Sequence, residues 1–431
     1  MEASPGYFEL LKTRPHYRAL WLGSVASLAG DWFTLIALYN LLEEFTGSSE
    51  AVGLLLTARF LPPAFLSPMA GVVADRFSRK HVMVLCDVLR AVVVFGFLLV
   101  RRREDVWLVY ALTFAQMSLA AFFDPAEQAS IGSTVEPNEV VTANTLQGAT
   151  WSAMLGIGAV AGGLLTATVG RDASFVVDAL SYLLSAFFIS RAVVPRPVQP
   201  PPAKTLAGRL GLTDLLEGLA LVRARPEIRR VLWVKTGWGI TGGAALMLYA
   251  VMGRHVFGVP GSPDAGVGVL LGMRGIGALI GPLIVRKLGG DGPPFLERAI
   301  GWAFVVTALF WALFAFSPNL VVAAVCLSLA HTGVATQWVF SSSLINLRVE
   351  DRFRGRVFAV DSMFFLVVLG ASSWAGGKAL DAFHIQPRVL MASLSVILLG
   401  SGAVWWWLMR ARPSSPPAPR DEGAQQNQSP S

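Results

Sequence analysis

Apolar residues run along this chain in long blocks broken by short polar segments, not in the 3.6-residue stripes of helices that cover a soluble core. Twelve blocks reach roughly 18 residues or more, the helix length that crosses a ~30 Å hydrocarbon layer. They fall at 19–42, 51–74, 82–100, 107–128, 141–169, 173–191, 231–252, 265–285, 299–317, 319–341, 357–380 and 388–409. The long polar interruption at 192–230 contains "PRPVQPPPAK", whose prolines cannot continue a helix, and it divides the blocks six and six. Inside it, "TDLLEGLALV" predicts an amphipathic helix on the membrane surface, with Leu215, Leu216, Leu219 and Val222 on one face and Asp214 and Glu217 resembling a capping box. The pattern predicts an all-α integral membrane protein in four parts. These are a six-helix bundle over 1–191, a linker over 192–230, a second six-helix bundle over 231–410, and a tail over 411–431 with the composition of disorder.

Composition agrees, with 54% of the 431 residues hydrophobic and 15% charged. The net charge of +7 does not point to nucleic acid, because most of the 35 Lys and Arg fall in segments on the side of the N-terminus. That bias places both termini in the cytoplasm and the chain in the inner or plasma membrane; Arg101, Arg102 and Arg103 run against it, partly offset by Glu104 and Asp105. The first 18 residues hold no apolar core before a small-residue cleavage site, so no removable signal peptide is expected. Cys86 and Cys326 lie inside predicted helices as packing residues, with no disulfide and no metal site expected. The five histidines are scattered and no P-loop occurs, which argues against an embedded enzyme, against ATP hydrolysis and against a cofactor.

The two halves also match each other. "RPHYR" at 14–18 aligns with "RPEIR" at 225–229, and "VGLLLTAR" at 52–59 with "VGVLLGMR" at 267–274. Gly162 and Gly163 align with Gly376 and Gly377, and "VEPNEVVTAN" at 135–144 with "VEDRFRGRVF". Four matches in order, at offsets of 211 to 215, predict two parallel repeats about an axis along the membrane normal, with a cavity at their interface near mid-membrane.

Between the second and third blocks stands "GVVADRFSRK", residues 71–80. It closely resembles the signature loop of the major facilitator superfamily. "LAGDWFTLIAL", "ARFLPPAFLSPMAGVVADRFSRK", "FFDPAEQASI", "FVVDALSYLLSA" and "RFRGRVFAV" resemble the branch that includes the enterobactin exporter and macrolide efflux proteins. The resemblance implies export of amphipathic small molecules by alternating access and proton antiport, with small-molecule substrate, protons and membrane lipids as partners of a monomeric chain. An importer, a uniporter or a lysolipid transporter would share this architecture. The resemblance also implies that the loop is a latch against the helix that follows "RFRGR", favouring the outward-facing state. In that reading Gly71 permits close approach, Asp75 faces a helix N-terminus, and Arg76, Arg79 and Lys80 bridge to acids or lipid phosphates. Two positions depart from the wider antiporter pattern: "WLVYALTFAQMSLAAFF" has no arginine, and Ala159 stands where a proline is usual.

Ionisable groups within a bilayer are costly and mark function. Asp31 and Arg59 stand at similar depth, about 20 Å from the N-terminal side at 1.5 Å per residue, and are expected to pair. Arg274 is the repeat mate of Arg59, while Gly242 takes the place of Asp31, so Arg274 is expected either to attract an anionic or carbonyl-rich substrate or to snorkel outward. Asp178 is a further proton-site candidate. Asp87, Arg90, Lys235, Asp361 and Arg356 are expected to form a gate network with the latch, and His331 to be a packed residue. Trp32, Phe33, Phe60, Trp151, Trp238, Trp338, Phe364 and Trp374 are candidate aromatic walls for a bulky amphipathic ligand.

Overall fold

The computed structural model describes residues 6–196, 205–260, 263–290 and 292–410. The first half comprises α1 (Tyr7–Thr13), α2 (Pro15–Thr46), α3 (Ser49–Arg76), α4 (Arg79–Gly96), α5 (Val106–Ser133), α6 (Val140–Thr168) and α7 (Arg171–Arg191). The linker forms α8 (Leu206–Arg209) and α9 (Leu212–Ala224). The second half comprises α10 (Pro226–His255), α11 (Pro263–Gly289), α12 (Pro293–Ala315), α13 (Leu320–Arg348), α14 (Asp351–Phe383) and α15 (Pro387–Arg410). Most of the Pro-rich part of the linker and the expected disordered tail lie outside the described residues.

Eleven of these helices are long and apolar enough to cross a membrane, which makes the chain a multi-pass membrane protein. The twelfth expected span, α10, has 30 residues, but Gly237, Gly239, Gly242, Gly243 and Gly253 dilute its hydropathy. Those glycines serve contact rather than lipid solubility. A Cβ at Gly243 would stand 1.9 Å from the Leu369 carbonyl, so only glycine lets α14 come this close.

The repeat is visible in the contacts. Both α2 and α10 begin Arg–Pro, with the proline at the first turn, where its missing N–H costs nothing. Arg14 then pairs with Glu136 and, at 2.8 Å, with Glu139; at the matching positions Arg225 pairs with Glu350 at 3.4 Å. More than two turns further in, Gln147 donates to Ser24 at 3.0 Å, and the matching pair is Lys235 and Asp361 at 2.6 Å. Deeper still, Gly162 touches Phe33 where Gly376 touches Ala244. Burial alone would raise the Glu139 carboxyl, but hydrogen bonds from Arg14 and the Glu136 N–H hold it below the usual carboxylate range.

The halves meet along two equivalent seams, α3 against α14 and α11 against α6. Gly53 lies on the Ser373 carbonyl as Gly268 lies on that of Ala159, and Thr57 meets Gly370 where Gly272 meets Gly156. All these contacts lie toward the face that carries Thr46 and Ser49, here called the far face. There the halves are also tied by polar bonds: Asp381, near the end of α14, accepts from Ser48 Oγ at 2.6 Å and from the N–H groups of Ser49 and Glu50 at 3.2 and 2.8 Å, capping α3 across the interface. Trp374 Nε1 donates to Glu50 at 2.8 Å, and His255 stands 3.1 Å from Glu43.

Toward the opposite, linker-bearing face the seams part. Nothing lies within 4 Å of the position a Cβ would take at Gly71 or Gly148, and Phe65 and Leu283 are exposed. Pro62 and Pro63 interrupt α3 at this divergence, removing two intrahelical donors. The result is a cleft, closed at the far face and open at the linker face. The linker helix differs from expectation in its polar face. Gly211 in the left-handed region is the N-cap of α9, and Asp214 and Glu217 form no capping box; they bind Arg356 at 2.9 and 2.6 Å. An ion pair to α14 outcompetes a local cap because α9 packs on that helix, with Gly218 against the Arg356 backbone.

Candidate functional site

The first bundle gathers charge in its interior. Arg90 of α4 donates to Asp87 at 2.6 Å, and its guanidinium lies over the rings of Phe123 at 4.3 Å and Tyr182 at 4.6 Å. Tyr182 of α7 donates to Asp31 of α2 at 2.6 Å and receives a bond from Gln116 of α5 at 3.0 Å. Asp178 lies one turn from Tyr182, 3.3 Å from Ser181 Oγ, in a space that Gly30 leaves for it. From α5, Asp124 and Glu127 complete the group: Asp124 interacts with Arg90 and Asp31, and Glu127 accepts from Ser24 and, at 3.3 Å, from Gln147. Five carboxylates thus share one guanidinium. They grade inward: Asp124 is exposed, Asp31 and Glu127 are half-buried, and Asp87 and Asp178 are fully buried.

The second bundle buries a closed pair instead. Lys235 of α10 and Asp361 of α14 meet at 2.6 Å, and the ammonium sits 4.5 Å from the ring of Trp338. Trp238 stacks on Phe365 at 5.9 Å and Trp338 meets the same ring edge-on at 5.1 Å, so one aromatic cluster encloses the pair. His331 is buried as expected, with Nδ1 3.0 Å from the Leu327 carbonyl and its ring 5.7 Å from Tyr249.

Between the bundles, at the apex of the cleft, stand Arg59 and Arg274. The expected Asp31–Arg59 pair is not formed: Asp31 is taken by Tyr182, and Arg59 Nη1 is buried without a hydrogen-bond partner. Equal depth along two helices does not set the direction in which side chains project, and here the two residues face different neighbours. Arg274 Nε is likewise buried and unpartnered.

The expected gate network is not a single network. Asp87 with Arg90 and Lys235 with Asp361 are separate pairs, each inside its own bundle. Asp75 is exposed and no atom lies within 4 Å of the position a Cβ would take at Gly71; Arg79 bonds the Ala74 and Ala129 carbonyls, and Lys80 is half-buried. Arg76 also has a partner within the structure. The "RFRGR" segment does not precede the helix but falls within the first turns of α14. Among the aromatics, Trp32 packs on Gly158 and Phe33 on Gly162, within the first bundle. Phe60 lies beside Gly370, Trp238 is buried, and Trp374 belongs to the far-face closure. Trp151, Trp338 and Phe364 are exposed. Asp124, Glu127, Tyr182 and Asp381 were missed. The signal for the first two was "FFDPAEQ", with acids at i and i+3 around a proline at the end of a predicted span.

The helix plan matches solved membrane proteins. A bacterial homologue of the human lysosomal transporter Spinster superposes with a TM-score of 0.69 at 14% identity, over 95% of this chain and 98% of that one. Residues 11–420 match the family described as transmembrane secretion effectors. The chain belongs to that family. It is therefore a transporter of the major facilitator superfamily and not an enzyme. Among its relatives, the protein named "Putative bacilysin exporter BacE" from Bacillus subtilis is 25% identical over 80% of this chain and 84% of its own length. The multidrug efflux pump Tap of Mycolicibacterium fortuitum is 24% identical over 88% and 92%.

Proposed function

We propose that this family member exports amphipathic small molecules by proton-coupled antiport, with the linker face toward the cytoplasm of the inner or plasma membrane. The observation that carries the reading is the set of five carboxylates around Arg90, beginning at exposed Asp124 and ending at buried Asp178. Five acids gathered around one cation leave more negative charge than Arg90 balances, an arrangement suited to a site that takes up and releases protons. The efflux activities named for the relatives support the direction of transport, and the positive-inside bias supports the orientation. In the alternate conformation the far-face bonds of Asp381 release, and Asp75 closes on the first turns of α14, where the helix N-terminus attracts a carboxylate.

The test is transport in liposomes with an imposed pH gradient, comparing wild type with Asp31→Asn for accumulation of amphipathic dyes. Gradient-driven accumulation that falls about a hundredfold or more in the variant, while exchange of dye across equal pH persists, is the expected result. Accumulation that ignores the gradient and survives the substitution would make the chain a uniporter and Asp31 structural.

A further inference from the structure

The export reading leaves two cations without a role. Arg59 and Arg274 occupy matching positions in the repeats, at the ends of "VGLLLTAR" and "VGVLLGMR". Each stands two residues past a seam contact: Thr57 bonds the Gly370 carbonyl, and Gly272 lies against Gly156, with Gly275 still on Ser152 and Gly156. The pseudo-twofold therefore puts one guanidinium on each side of the cleft apex, where the two halves begin to separate. Both side chains are half-buried, and each keeps a buried nitrogen, Nη1 in Arg59 and Nε in Arg274, with no hydrogen-bond partner. The buried Tyr39 hydroxyl of α2 interacts electrostatically with both. The buried Tyr249 hydroxyl of α10, next to the Trp311 indole, also interacts electrostatically with Arg274.

No carboxylate answers this pair. Asp31 is bound by Tyr182 in the first bundle, Asp361 by Lys235 in the second, and among the described residues no ion pair reaches either arginine. Two like charges, each with a buried unpartnered nitrogen, are costly in a low-dielectric setting unless something negative completes the site. Guanidinium groups, planar and always charged, suit a carboxylate, sulfonate or phosphate with two acceptor oxygens. The aromatic walls nearby, with Phe60 one residue from Arg59, suit an apolar body on the same molecule.

We infer that Arg59 and Arg274 form an anion site at the cleft apex, so that the exported amphipath carries an acidic group held between the two halves. Because the ligand bridges the halves through one arginine from each, it holds the apex together while the linker face closes. The site rests on the export reading for its biological sense, but its recognition chemistry can be measured apart from transport.

The experiment is equilibrium binding to purified protein in nanodiscs, using a rhodamine with a free carboxylate and its methyl ester, read by quenching of intrinsic tryptophan fluorescence. Wild type is expected to prefer the free acid by at least tenfold. Arg59→Gln and Arg274→Gln are each expected to erase most of that preference, while Arg59→Lys and Arg274→Lys keep it within a few fold and show that charge, not folding, is at issue. Equal binding of acid and ester, preference for the ester, or failure of both to bind overturns the proposal, as does a glutamine variant that still discriminates. Acid preference without gradient-driven transport would leave the anion site standing and remove the antiport reading. Gradient-driven transport of both dyes without preference would do the reverse.

Discussion

Along the contact of the first and fifth spans, the two halves repeat each other in position and part in chemistry. Gln147 meets Ser24 in the first half, where Asp361 meets Lys235 in the second. The second half closes its charge in a one-to-one pair under an aromatic lid, a static element that locks α10 to α14. The first half places two neutral side chains at that contact, and both donate to Glu127, which joins the contact to the group of five carboxylates around Arg90. A balanced pair fixes geometry, whereas an unbalanced cluster responds to protons. On the proposed antiport, the difference puts the proton-responsive chemistry in the first bundle and the scaffold in the second.

Four substitutions sharpen or break that contrast. The largest effect is expected from Arg90→Met, which removes the single cation of the cluster. Transport should vanish under every gradient and the thermal midpoint should drop further than for any change in the second bundle. A variant that is stable and active would show that the acids do not depend on Arg90. Next, Lys235→Met strands Asp361 in the interior, a loss of about 3–5 kcal/mol, and Lys235→Met with Asp361→Leu should recover most of it. If the double variant instead abolished proton coupling while folding normally, the second bundle would be more than scaffold.

A smaller change is expected at the far face. Asp381→Ala uncaps α3 across the interface, at a cost of about 0.5–2 kcal/mol. That corresponds to a roughly two- to thirty-fold shift away from the conformation open at the linker face, readable as slower alkylation of a Phe65→Cys reporter in the cleft; unchanged labelling would remove Asp381 from the closure. The smallest effect is at Glu139, outside the span. Its carboxyl sits below the usual range in the folded chain, so its contribution is complete above the unfolded value of about 4.3 and fades as pH falls through the folded one. Wild type should therefore lose thermal stability on acidification below about pH 4.5 more steeply than Glu139→Gln. Parallel curves would mean that Arg14 holds the loop through Glu136 alone.

Much of this was readable along the chain. Block lengths marked the spans, α10 among them, although its hydropathy falls short of the other eleven. The offset between repeats located Arg59 and Arg274 as mates. The same reading failed on Asp31 and Arg59, because counting residues gives depth but not azimuth. It failed again on Asp214 and Glu217, where a local capping pattern lost to Arg356, more than a hundred residues away. Asp124 and Glu127 escaped because they stand at the end of a span, where acids are ordinary.

The sequence by itself determined the all-helical membrane class, the division into two repeats and the family. Those properties follow from the number, length and self-similarity of apolar blocks, which desolvation of the backbone converts directly into helices. Only the tertiary structure decided which charge meets which, and therefore that five acids share Arg90, that Lys235 belongs to Asp361 and that two arginines stand unanswered at the apex. In helices that are apolar nearly all round, no hydrophobic stripe marks the inner face. The partner of each buried charge is chosen by helix rotation and packing between distant segments, which periodicity along a single helix does not encode.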